Sequence, residues 1–204
     1  MKFLIFTLAL LAMPFSVQAE TKLTGMPSGL YKLDKTHASL TWKVSHLGLS
    51  NYTARFTEFD VDLMLNAQDP LRSRVKAVID PTSIKTDYPH PEKKDFDTKL
   101  SNDAGWFNAE QFPKITFTST KIEKSGDNRG EMTGVLEFLG VKKPITMDVT
   151  FNKALGNHPF ENKPAVGFSA IGSLKRSDFG MKTYLPQIGD QVNFVIEAEF
   201  FYAK

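Results

Sequence analysis

The chain contains no cysteine. That excludes disulfides, a thiolate nucleophile, a Cys-type zinc site and a lipidated N-terminal cysteine. Stability must then come from a hydrophobic core, and residues 20–204 are enough chain to bury one. No Pro/Gly/Ser-rich linker or low-complexity stretch divides them, so they are read as one domain. Charge of one sign is also lacking. The 25 Lys and Arg face 23 Asp and Glu, and acidic residues interrupt nearly every basic group. A nucleic-acid binder would cluster its basic residues on one stripe, so a nucleic-acid partner is not expected. Long hydrophobic runs are missing as well. The one apolar run, Phe3 to Met13, is well short of the ~20 residues needed to cross a bilayer. It follows Lys2 and precedes Pro14, Ser16 and Val17-Gln18-Ala19. This is the layout of a cleavable signal peptide over residues 1–19, with cleavage after Ala19. Export is expected, without stable membrane insertion.

Catalytic signatures are equally scarce. No nucleophile elbow, Ser-x-x-Lys, Gly-rich phosphate loop or dinucleotide fingerprint is present. The four histidines, His37, His46, His90 and His158, have no metal-ligand spacing. Asp95, Asp97 and Asp103 lie beside Lys93, Lys94 and Lys99, the composition of a solvated face rather than an acid/base pair. No catalytic residue, metal or cofactor is assigned.

What is abundant is alternation with period two, the mark of strands with one buried face. It runs through Leu40, Trp42 and Val44; Phe59, Val61, Leu63 and Leu65; Val75, Ala77 and Ile79; and Ile115 and Phe117. It continues through Met132, Gly134, Leu136 and Phe138; Ile145, Met147, Val149 and Phe151; Val166, Phe168, Ala170, Gly172 and Leu174; and Val192, Phe194, Ile196, Ala198, Phe200 and Tyr202. About eight strands result, with Tyr31–Leu33 leading into the first. The rhythm stops between Ser83 and Pro113, where a short helix over 93–100 and a turn capped by Asn108 are expected. An irregular insertion of that length in a compact β domain is usually functional, such as a lid.

An antiparallel sheet of this size loses its exposed edges by closing into a barrel. The fold class is therefore all-β, and eight strands enclose room for side chains or one slender ligand. The inward phase mixes large residues with Gly134, Ala170, Gly172 and Ala198. The small residues either admit bulky neighbours or leave space for a guest, and alternation alone leaves both open.

The order of the motifs goes further. Tyr31-Lys32-Leu33-Asp34-Lys35-Thr36-His37, Val44-Ser45-His46-Leu47-Gly48 and Ala54-Arg55-Phe56-Thr57-Glu58-Phe59 are followed by Ser83-Ile84-Lys85-Thr86. Then come Trp106 to Ser119, Gly134 to Pro144, Arg176-Ser177-Asp178-Phe179-Gly180-Met181 and Ile188-Gly189-Asp190-Gln191-Val192. Together they resemble the YceI family across nearly the whole of residues 20–204. Ala38, Ala54 and Lys94-Asp95 depart from its usual pattern. The resemblance implies an extended, antiparallel, eight-stranded lipocalin-like barrel with a short helical insertion at about 83–113. It also implies a periplasmic protein that binds, sequesters or transports a polyisoprenoid or quinone-like amphiphilic lipid. The lipid would lie against a wall of Leu40, Trp42, Val44, Phe117, Leu136, Phe138, Met147, Val149, Phe168, Ala170, Phe194 and Ile196. His46, Arg176, Ser177, Asp178 and Phe179 would form the mouth. Two alternatives stay open: a barrel enzyme pairing His46 with Asp178, and a structural or stress protein with a filled core. The sequence also leaves open whether the chain forms a homodimer.

Overall fold

The computed structural model describes residues 22–204. The signal segment 1–19, and the boundary after it, lie outside the described residues. Alternation becomes strands wherever one face of the pleat has a core to meet. In β4 (Phe59–Leu65) buried Phe59, Val61, Leu63 and Leu65 alternate with outward Asp60, Asp62 and Met64. Three strands of the barrel are bent. β1 (Gly29–Leu33) and β2 (Ser39–His46) flank a tight turn over Lys35–His37. There the Asp34 carboxylate accepts the Thr36 N–H at 2.9 Å. β3 (Ser50–Phe56) runs on into β4 in the same way. β5 (Arg74–Ile79) leads into the two-residue β6 (Ile84–Lys85) through Pro81, with Asp80 accepting from the Thr82 N–H at 2.8 Å.

The remaining strands are longer: β7 (Ile115–Lys124), β8 (Arg129–Phe138), β9 (Val141–Leu155), β10 (Ala165–Lys175) and β11 (Ile188–Tyr202). Counted with each bent pair as one strand, eight antiparallel strands follow one another in chain order. The ring closes where β11 pairs with both β1 and β2. The registers Tyr31↔Tyr202 and Phe194↔Trp42 mark the two halves of that seam. Closure leaves no long sheet edge in the ring, as the all-β expectation required.

Two expectations needed adjustment. Alternation does not mark the strand β3, because Ser50, Asn51 and Thr53 are polar and only its end, Ala54 and Phe56, is buried. The helix α1 spans Phe96–Asn102 rather than 93–100. The Asp95 side chain accepts the Thr98 N–H at 2.9 Å and so sets its first residue. Asn108 opens the expected turn, its carbonyl accepting from Gln111 and Phe112, but its side-chain amide donates to Gln111 Oε1 at 3.0 Å rather than capping a backbone N–H.

The up-and-down order sorts the connections into two ends. At one end lie the first described residues and the β4–β5, β7–β8 and β9–β10 connections. At the other lie the β2–β3, β8–β9 and β10–β11 connections and the insertion 86–114. The insertion closes this second end. Buried Phe107 packs edge-on to Phe56 at 5.5 Å, and its ring lies 5.7 Å from Phe138 and 6.3 Å from Trp42. The Thr183 hydroxyl donates to the Gly105 carbonyl at 2.7 Å, tying the insertion to the β10–β11 connection. Asp97 accepts from both the backbone and the hydroxyl of Thr86, holding α1 to the strand that precedes it.

Candidate functional site

The barrel interior contains a cavity of about 1230 Å³, larger than the roughly 300–1,000 Å³ of ordinary small-molecule sites. Its lining runs along β8 from Arg129 and Gly130 to Leu136 and Phe138. At ~3.3 Å per residue that is about 30 Å along the strand, or about 23 Å along a barrel axis tilted by ~40°. The space is a tunnel rather than a bowl.

All twelve wall residues expected from the sequence line this tunnel. The structure adds others. Val61, Leu63, Leu65, Val75, Ala77 and Ile79 lie in β4 and β5, and the same alternation marks them. Leu100, Trp106 and Phe107 come from the insertion, where no periodicity announces them. Trp42 carries a buried indole N–H with no hydrogen-bond partner among the described residues.

The small inward residues divide into two kinds. Ala170 and Ala198 line the tunnel, whereas Gly134 and Gly172 do not. A Cβ at Gly134 would run into the Phe117 ring and stand 2.6 Å from the Thr118 carbonyl, and one at Gly172 would run into the Phe194 ring. These two glycines therefore make room for neighbouring rings, and those rings form the wall. The open volume lies elsewhere along the axis.

The five residues expected at a mouth do not frame an opening. Arg176 lines the tunnel but is only 2% exposed, and it serves as a clamp. Its guanidinium donates to the carbonyls of Gly189 and Ile188 at 2.8 Å each and of Met181 at 3.2 Å. Burial lowers its pKa, which the neighbouring Asp190 charge opposes. Ser177 donates through its N–H and hydroxyl to Asp190 at 2.9 and 2.7 Å. Burial alone would raise the Asp190 pKa, but these two bonds hold it below the usual carboxylate value. Phe179 is buried with its ring 5.5 Å from that of Phe138. Asp178 is exposed and pairs with Lys143 at 3.3 Å, and His46 is exposed at the end of β2. None of these last four lines the tunnel, and His46 and Asp178 share no hydrogen bond or ion pair. All five sit at the end that the insertion covers, which is why they fail as a mouth.

The exposed residues of the lining gather at the opposite end. They are Lys22 and Thr24 before β1, Gln68, Asp69 and Leu71 between β4 and β5, and Lys124, Asp127, Asn128 and Arg129 around the β7–β8 turn. The tunnel opens between these three segments. Apart from Arg176, its charged groups stand there. Away from it, on the barrel exterior, Asp34, His37 and Glu199 form a group whose ligand atoms lie within 4.8 Å of one another. The Asp34 oxygens already accept from Thr36 and meet His37 Nδ1 at 2.7 Å, a contact that raises the His37 pKa. It is the one cluster among the described residues with the makings of a metal site.

Known proteins share this architecture. The model of the YceI-like domain matches residues 31–200. Protein YceI of Escherichia coli O17:K52:H18 is 34% identical over 171 residues, covering 83% of this chain and 85% of that protein. The crystal structure of the Campylobacter jejuni YCEI protein aligns with a TM-score of 0.68 at 28% identity, over 78% of this chain and 90% of that one. A polyisoprenoid binding domain from Saccharophagus degradans shares the fold alone, with a TM-score of 0.62 at 14% identity over 84% and 97% of the two chains. With its domain model matched from within β1 into β11, the chain belongs to the YceI family.

Proposed function

We infer that this protein binds a long-chain polyisoprenoid or quinone-like amphiphilic lipid in the tunnel, and sequesters or transports it in the periplasm without acting on it chemically. The observation that carries this is the shape and lining of the cavity, apolar from the Phe107 plug to a polar opening. A chain in such a tunnel gains ~25 cal/mol for each Å² of apolar surface removed from water. Some 400 Å² of buried tail is therefore worth about 10 kcal/mol before the costs of association are subtracted. The tail needs no polar partner along the wall, so the head group belongs at the opening, beside Asn128, Arg129 and Lys124. The similarity in fold to a polyisoprenoid binding domain supports the ligand class. Lys2, the run Phe3–Met13 and Val17-Gln18-Ala19 support export with removal of residues 1–19.

The enzyme reading has less support. It needs His46 and Asp178 within hydrogen-bond reach beside the cavity, and neither lines it. The filled-barrel reading must account for some 1230 Å³ of open interior. Native mass spectrometry of protein purified from its own periplasm, followed by lipid extraction, tests the proposal. The expected spectrum shows the chain plus one amphiphile of discrete mass with a long apolar tail. Protein that is always empty and takes up no fluorescent isoprenoid probe in vitro would overturn it.

A further inference from the structure

The surroundings of the opening differ from the rest of the surface in two respects. Leu71, in the β4–β5 connection, is 44% exposed while also lining the tunnel, and Phe160, in the β9–β10 connection at the same end, is 85% exposed. Phe160 meets the His158 ring at 5.8 Å and still leaves most of its surface in water, so this end presents apolar side chains around an apolar opening. The second respect is charge. Lys22, Arg72, Lys124, Arg129 and Lys163 stand at this end against Asp69, Asp127 and Glu161. Arg72 pairs with Asp69 at 3.4 Å and Lys124 meets Asp127 at 4.0 Å. Arg129 and Lys163 have no acidic partner among the described residues. Exposed Leu47, Leu49 and Tyr184 form another apolar patch, but it lies at the end closed by the insertion and has no continuity with the tunnel.

We propose that the end of the barrel carrying the opening docks on an anionic lipid bilayer. Leu71 and Phe160 enter the interfacial region, the basic residues face lipid phosphates, and the tunnel opens onto the membrane. The proposal rests on the reading of the tunnel as a lipid site. It adds the route by which the lipid arrives, since a tail passing directly from bilayer to tunnel never meets water. The attraction is peripheral. Each basic residue near an anionic surface contributes about 1 kcal/mol, about fivefold in partition, and the contribution is screened by salt.

The test is flotation of the processed protein with vesicles of phosphatidylcholine alone or with one quarter phosphatidylglycerol. Binding to the anionic vesicles that falls off in 0.5 M salt is expected. The variant Phe160→Ser/Lys163→Glu removes the aromatic and reverses a charge without touching the tunnel wall, and Arg72→Glu, at a residue that does not line the tunnel, provides an independent second variant. The double variant should lose about tenfold or more in vesicle binding while keeping its affinity for a soluble isoprenoid probe. Leu49→Ser, on the other apolar patch, should bind vesicles as the wild type does. Equal binding to neutral and anionic vesicles, or a loss with Leu49→Ser but not with the rim variants, would overturn the docking. The probe arm separates the two ideas, because a chain that docks yet never binds probe refutes the lipid site and leaves the docking standing.

Discussion

Arg176 shows how a charged side chain in a motif becomes part of the framework. It is 2% exposed, and its three backbone acceptors are Met181, within the β10–β11 connection, and Ile188 and Gly189 at the start of β11. Arg176→Met fills similar volume but leaves those carbonyls without donors, so a loss of about 2–4 kcal/mol is expected, read as a lower urea midpoint at unchanged m-value. The two packed glycines make a sharper pair. At Gly134 an added methyl group meets the Thr118 carbonyl at 2.6 Å, which is backbone and cannot swing away. At Gly172 the nearest atoms belong to the far edge of the Phe194 ring. Gly134→Ala should therefore destabilise by about 1–3 kcal/mol, and Gly172→Ala by less. The displaced Phe194 ring would enter the tunnel instead, lowering the capacity of Gly172→Ala for a fluorescent isoprenoid probe. Denaturation and probe titration of both variants separate these effects.

At the scale of elements, the insertion between β6 and β7 acts as a plug rather than a movable lid over a mouth. It is held by a ring cluster around Phe107 and by polar ties at Asp97 and Gly105. Burial alone would raise the Asp97 pKa. The hydrogen bonds from the Thr86 hydroxyl and N–H and from Lys85 outweigh it and hold the group below its ordinary value of 3.8. A carboxylate with a depressed folded value adds stability above its unfolded pKa and loses it as the pH falls through the folded one. Asp97→Ala should then cost about 1–2 kcal/mol at neutral pH. The gap from wild type should close as the pH is taken below 3.8, measured as converging urea midpoints. Of these elements, the strands with a continuous buried face were legible in the sequence. β3 was not, since its polar start faces solvent and supplies no apolar contrast. The start of α1 depended on one capping side chain, Asp95, among several candidates.

For the whole molecule, a wide cavity in a chain with no cysteine has a thermodynamic consequence. The empty tunnel forfeits contacts that a packed core would make, so occupancy should contribute visibly to stability. At a ligand concentration a hundred times Kd the gain is about 2.7 kcal/mol. Protein stripped of lipid by organic extraction and refolded should melt several degrees lower than protein as purified, and adding back the extracted lipid should restore the difference. A melting temperature indifferent to stripping would mean that the tunnel does not carry a ligand in the purified protein.

Where it is continuous, the alternation of apolar and polar residues by itself determined that the chain makes strands and which face of each turns inward, the face that carries the twelve wall positions lining the tunnel. It did so because the pleat repeats every two residues regardless of what the strand meets. The location of the opening was decided only by tertiary structure. Lys22, Asp69 and Arg129 look like ordinary turn residues in the sequence, and ring closure alone brings them to one rim. His46 and the Arg176 motif look functional, yet the insertion packs over their end. Which end of a barrel stays open depends on connections far apart in the chain meeting across it, and no local period records that.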